Sequence, residues 1–436
     1  MSHSEFWDIF YTNFNTYISI SLFVFISSFS LFKLLRFSVF HPVVFYLFFN
    51  YQFALIAVIF LDWLGYIDKD LSFYFYSSQV SFWFGFVIIY LFNNLYTNSS
   101  RQNISVFHPS STLSLTYRIS FYFYLFLSLT SFVFFGVPAL AESKWSVYSS
   151  IPLAGVIGRI LSVLPFFILV CLFLSYIYRG RIMRFDYFVG VSLVLLGALG
   201  GSKIFFLKYF FILYLAYFGI SKVVSAVGSI DHINMVKNKW ILYFVGIVSL
   251  LLVFILVYFH QLYTRSLSLN PVILVLERLV MSGDLQALGF PNSLVDSINH
   301  GEDLFSIIFY ELKGFLSVLG FTVVGNSIGL KVMQEVYPHW DVNVGPASTF
   351  DVFFYVYFKD ISLFLCFIVG AFVGLISTLR IRFRSEFQLI AYVIFVFGGY
   401  AIIYNPQIWL SDTIFNFIFF FCFYIFIKFW GVVCEK

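Results

Sequence analysis

Charge is what this chain has least of. Asp, Glu, Lys and Arg make up 11% of its 436 residues, and cysteine and proline are scarce too, at 4 and 10. Soluble domains carry about 25% charged and about 45–50% apolar residues. Here 61% are hydrophobic, and Phe alone supplies 64. With a mean hydropathy of +0.94, the chain has more apolar surface than a soluble interior can hide, so the bilayer is its expected solvent. Cys171, Cys366, Cys422 and Cys434 lie in apolar runs without ligand spacing, which favours buried thiols over a disulfide or a metal. Walker, GxGxxG, HExxH and CxxC patterns are missing as well. A nucleotide-sugar or ATP site therefore finds no support.

What is present is a series of apolar runs of bilayer length, bounded by charge. They predict an all-α, polytopic bundle of about eleven transmembrane helices (10–12) near 16–34, 43–61, 73–92, 119–137, 153–177, 185–200, 204–220, 240–259, 361–379, 388–404 and 413–430. Glu5 and Asp8 precede the first run and no basic stretch stands ahead of it, so that run is expected to remain as a span rather than be cleaved. Three units follow: residues 1–259 with spans one to eight, a large loop over 260–360, and residues 361–436 with the last three spans.

Lys and Arg fall unevenly between the two sets of connections. One set holds Lys33, Arg36, Arg101, Arg118, Arg179, Arg181, Arg184, Lys222, Lys237, Lys239, Arg380, Arg382, Arg384, Lys428 and Lys436. The other set is poorer in cations, and its short loops also carry Asp62, Asp68, Asp70, Glu142 and Asp412. By the positive-inside rule the first set is cytoplasmic. The C-terminus is then inside, and the N-terminus and the large loop outside.

The loop over 260–360 gathers ten of the 21 acids and is too aliphatic and aromatic for disorder. Asn270-Pro271 predicts the start of an amphipathic helix over 271–282, with Ile273, Leu276 and Val280 on one face. Residues 304–325 read as an interfacial or re-entrant helix, because Glu311 and Lys313 sit at its middle. The whole segment is expected to be a folded lid on the membrane.

Intramembrane charge is costly and marks function by default. Arg159 lies about two turns into the fifth span. Lys203 closes the tight Gly200-Gly201-Ser202-Lys203 hairpin, and Lys208 follows one turn later. Snorkelling or a structural ion pair would account for each alone. Three cations at one depth suggest an anion pocket open to the outside, fit for a lipid-linked pyrophosphate. Arg265 and Arg278 add cations from the loop. Tyr337-Pro338-His339-Trp340-Asp341 is the densest polar and aromatic cluster. It makes His339 and Asp341 the candidates for a general base toward a sugar hydroxyl.

About eleven spans, the Gly-Gly-Ser-Lys hairpin and one long outer loop before the last three spans resemble the bacterial Wzy-type O-antigen polymerases, over nearly the whole chain. Some members carry Arg, ten residues, then Gly in an outer loop. Arg278 and Gly289 have that spacing, as do the cytoplasmic Arg179 and Gly190. The stretch Asn343–Phe350 is similar to the family's polar lead-in to the ninth span.

The resemblance implies a GT-C-like, metal-independent glycosyltransferase of the bacterial inner membrane with its large loop in the periplasm. It would join undecaprenyl-pyrophosphate-linked oligosaccharide repeat units and release undecaprenyl pyrophosphate. It implies no cofactor and no nucleic-acid partner, and names membrane lipids and a chain-length regulator as candidate partners. Arg159, Lys203 and Arg278 would clamp the pyrophosphate, with Lys208, Arg265 and Gly289 nearby. Two neighbouring readings are an O-antigen ligase acting on lipid A-core and a flippase for the same lipid-linked unit. A flippase is expected to show repeat-like halves and midplane charge, and a membrane acyltransferase a His/Asp pair near the spans. The lopsided loops and surface-level charges argue against transport, and Asp186 and Asp412 at span ends have no His nearby in sequence, which argues against the acyltransferase.

Overall fold

The computed structural model describes residues 1–38, 41–98, 111–140, 152–179, 181–201, 205–224, 283–298, 304–312, 320–323, 325–340, 345–378 and 385–434, with single positions 248, 251, 255, 277, 280, 302 and 316. Among these residues every regular element is helical and there is no strand. Seven helices are long and apolar enough to cross a membrane: α2 (Phe14–Leu34), α5 (Lys69–Asn98), α6 (Ser111–Phe135), α7 (Pro152–Arg179), α15 (Ser362–Thr378), α16 (Glu386–Gly399, continued by a 3-10 turn to Ile403) and α17 (Pro406–Cys434).

Three of the other expected spans fall on shorter or interrupted helices. Residues 43–61 form α3 (Pro42–Phe45), a π-helical turn over Tyr46–Tyr51 and α4 (Gln52–Trp63). Residues 185–200 and 204–220 match α8 (Arg184–Leu199) and α9 (Phe205–Val224). Gly201 between them adopts φ +71° against the Pro138 carbonyl, a left-handed conformation that favours glycine. The eighth expected span, 240–259, lies outside the described residues apart from single positions.

A helix precedes the first span: α1 (His3–Thr12), opened by a capping box. The Ser2 amide donates to Glu5 at 2.7 Å and the Glu5 amide donates back to the Ser2 hydroxyl at 3.3 Å. This reciprocal pairing satisfies two otherwise orphaned donors and holds the Glu5 carboxyl below its ordinary range.

Helices α5 and α15 approach closely, and glycine makes that approach possible. A Cβ on Gly85 would overlap the Phe367 carbonyl oxygen, and one on Gly370 would overlap that of Phe82. On Gly374 it would stand 2.6 Å from the Phe86 carbonyl oxygen. Gly370 and Gly374 form a Gly-x-x-x-Gly step, the spacing that lets membrane helices pack backbone to backbone where lipid offers no hydrophobic drive.

The described residues of the large loop form short helices: α10 (Asp284–Gly289), α11 (Leu294–Ser297), α12 (Leu304–Phe309), α13 (Ile328–Val336) and α14 (Phe350–Tyr357). The single helix expected over 304–325 is corrected. It stops as α12, tightens into a 3-10 turn over Tyr310–Leu312, and the chain turns at Gly320 with φ +84°. A residue with that φ ends a right-handed helix, and glycine adopts it at least cost. Of the helix expected over 271–282, Glu277 and Val280 are described. Both are helical, and Val280 is buried.

Two apolar cores result. One lies between the spans and includes Phe82, Phe86, Phe121, Phe167, Leu193 and Tyr400. The other joins α1, α2, α4 and the start of α5 to the loop helices through Phe10, Phe60, Phe75, Leu288, Val332 and Met333. The described loop helices therefore form a folded cap packed against α1, α2, α4 and the start of α5. Its backbone comes close at Gly283, whose Cβ would stand 2.8 Å from the Phe53 carbonyl oxygen. Ser293 donates to Asp68 at 2.8 Å and Gln407 donates to the Ile307 carbonyl at 3.4 Å. Residues of the 62–70 connection, the start of α17 and α1 thus meet the cap at one end of the bundle.

Candidate functional site

Arg159 is held near the start of α7 and Asp412 near the start of α17, 253 residues apart in sequence. The Arg159 Nη1 donates to the Asp412 Oδ1 at 2.5 Å. Lys208, one turn into α9, acts electrostatically on the same carboxylate. Two of the three intramembrane cations singled out in the sequence therefore converge on one acid. The Arg159 side chain keeps 20% of its surface accessible and the Asp412 side chain 47%. The carboxylate is thus surrounded by helices yet open on one side.

Aromatic hydroxyls complete the cluster. Tyr46, from the π turn, and Tyr404, from the α16–α17 connection, stack at 5.7 Å with rings 10° from parallel, and both feel the Asp412 charge. Tyr400 packs on Tyr46 at 5.9 Å, and His41 lies edge-on to Tyr400 at 6.2 Å. The π turn has a local purpose. It shifts the register between Phe45 and Gln52, which brings Tyr46 and Tyr51 inward; single π turns inside helices are frequent at functional sites.

The three described side chains Arg159, Asp412 and Lys208 comprise two cationic groups and one acid. An incoming phosphate would meet a guanidinium with its fork of donors and an ammonium as a point charge. Phenolic hydroxyls would stand beside it, and the cap core would be a short distance away along α17.

Lys203, Arg265, Arg278 and Asp341 lie outside the described residues. His339 is exposed on the turn after α13, where the Trp340 amide donates to the Tyr337 carbonyl at 2.9 Å. Gly289 is buried in the cap, and a Cβ there would stand 3.1 Å from Val295, so packing alone accounts for a glycine. Lys331 pairs with Glu302 at 2.5 Å and lies 5.8 Å from the Tyr357 ring.

A partly buried histidine is found instead at the N-terminus. The His3 Nδ1 lies 2.9 Å from the Tyr337 hydroxyl and its Nε2 3.6 Å from Asp284, while its amide donates to the same hydroxyl at 2.7 Å. Part of the Tyr337–Asp341 cluster therefore serves to dock α1 on the cap. The capping box at Ser2–Glu5 was the sequence signal for that helix. Asp68-Lys69-Asp70 is an Asp-x-Asp sequence whose first acid ties the cap through Ser293.

No family model matches the chain, and no curated protein or solved structure does either.

Proposed function

We propose that this membrane protein is a lipid-linked oligosaccharide polymerase, with the Arg159–Asp412–Lys208 cluster as its pyrophosphate site. The observation that carries the reading is the convergence of two cations on one partly open carboxylate. The uneven distribution of Lys and Arg supports a periplasmic cap and a cytoplasmic C-terminus.

The chemistry asks little beyond such a cluster. Undecaprenyl pyrophosphate leaves readily once cations neutralise the charge that develops on it. Arg159 and Lys208 would bind the phosphates, exchanging Asp412 for substrate oxygens, and Arg278 and Lys203 would extend the clamp. A base on the cap, His339 or Asp341, would take the proton from the acceptor hydroxyl. The prenyl tail would lie against the aromatic faces of the spans.

Gel analysis of lipopolysaccharide tests the reading. Deletion of the gene is expected to leave a single capped repeat unit on lipid A-core, whereas bare core would assign a ligase or flippase. Arg159→Ala and Arg278→Ala are each expected to shorten or abolish the ladder at normal protein level. Normal ladders from both would remove the clamp assignment.

A further inference from the structure

The two cores meet at α14. Its first residue, Phe350, packs in the bundle core against Tyr51 and Phe82 at 5.2 and 4.8 Å, while Val352, Phe353 and Val356 belong to the cap core. Asp351 stands at that junction with 0% exposure, and neither carboxylate oxygen has a hydrogen-bond partner among the described residues. The Thr349 hydroxyl and the amides of Asp351 and Val352 are near enough to favour the anion, yet none is in hydrogen-bonding geometry. The Thr349 Oγ1 already accepts from Gln286 at 2.6 Å, and the Tyr74 hydroxyl donates to the Asp351 carbonyl at 3.1 Å rather than to its side chain.

Further buried polar atoms stand nearby. The Gln79 Oε1 and the Tyr51 hydroxyl are buried and also lack partners. The ionisable groups that face Asp351 are Tyr51 from the π turn, Tyr74 from α5 and Cys366 from α15. The cap's Asp296 and Lys359 engage Tyr355, further along α14. Among the described residues no cation is paired with the buried carboxylate. A buried charge without a partner or donors is costly, and the least costly remedy is to neutralise it. One proton would do so.

We propose that Asp351 is a proton-binding site that couples the seating of the cap on the bundle to pH. With the proton bound, α14 sits between the two cores at no electrostatic cost. When the proton leaves, the carboxylate requires water, and the cap-to-bundle junction is the place where water can enter. Burial pushes the Asp351 carboxyl up to about 6, which places the transition in a range that a membrane surface reaches. The proposal is independent of the polymerase reading, since it concerns how the cap is held and not what it acts on.

The test uses the full-length protein in detergent or nanodiscs. Thermal unfolding is followed between about pH 5 and pH 8 for the wild type and for Asp351→Asn, which mimics the neutral acid. The wild-type midpoint is expected to fall by several degrees across that range. The variant should match the wild type at the acidic end and lose most of the slope. An unchanged slope, or a variant less stable than wild type at pH 5, would overturn the proposal. Should the variant fail to fold, infrared spectroscopy of the wild type decides the matter. A solvent-shielded carboxylic-acid carbonyl band present at pH 5 and titrated away by pH 8 supports it, and absence of that band sinks it. Repeating the melts at pH 8 in sodium and in choline chloride gives the remaining arm. Stabilisation specific to sodium and lost in Asp351→Asn would make this a sodium site and overturn proton binding.

Discussion

Asp412→Asn probes the charged cluster most directly. The substitution keeps the shape of the side chain and removes the negative charge that Arg159 and Lys208 share. Breaking a buried pair from one side costs about 3–5 kcal/mol, and an exposed pair is worth about 0–1 kcal/mol. The Arg159 and Asp412 side chains keep 20% and 47% of their surfaces, so the loss should fall between these limits, at about 2 kcal/mol. Arg159→Gln should cost less, about 1 kcal/mol, because Asp412 retains Lys208. The double variant should recover part of the Asp412→Asn loss, since one of the two stranded cations is then gone. Thermal unfolding of the purified protein, read by tryptophan fluorescence, measures all three. If Arg159→Gln proves more destabilising than Asp412→Asn, the acid is not the hub of the cluster and this reasoning fails. The polysaccharide ladder should show the opposite ranking to stability if Arg159 also holds phosphate: the milder stability lesion would be the more severe functional one.

Gly370→Leu is expected to separate α5 from α15 and cost at least about 2 kcal/mol, since its Cβ would overlap the Phe82 carbonyl oxygen; loss of the folded peak in size-exclusion chromatography checks it. Tyr337→Phe removes the hydroxyl shared by the His3 ring and amide. It should weaken α1 docking by about 1 kcal/mol, read as faster proteolytic removal of the first residues with no change in the melting of the bundle. For Asp351 the sign of the pH effect follows from a raised value. The unfolded carboxyl titrates near 3.8 and the folded one near 6, so its contribution is fully present below the unfolded value and is lost as pH rises through the folded one. The full difference amounts to about 3 kcal/mol, of which about 2 kcal/mol is lost between pH 4 and pH 8, and wild-type minus Asp351→Asn melting curves should show it.

How much of this was legible depends on the range over which each feature is encoded. The long spans are local, since a run of about 20 apolar residues needs no partner to be recognised. Cap helices are less so. Residues 304–325 have the composition of one helix, but Gly320 at φ +84° turns the chain, and nothing local distinguishes a helical glycine from a turning one. Gly370 and Gly374 were readable as a spacing, although their partners Phe82 and Phe86 lie some 290 residues away. Arg159 and Lys208 stood out because charge is rare in a span; that both answer to Asp412 depends on how α7, α9 and α17 pack. Asp351 was hidden for the opposite reason. In sequence it is one of many loop acids and reads as solvated, and only the meeting of two cores around α14 strips it of water. In a chain with so few charges, sequence indicates which ones lie at bilayer depth, whereas tertiary packing decides which of the remaining ones have lost their solvent. The second group includes the acid whose ionisation opposes the seating of the cap.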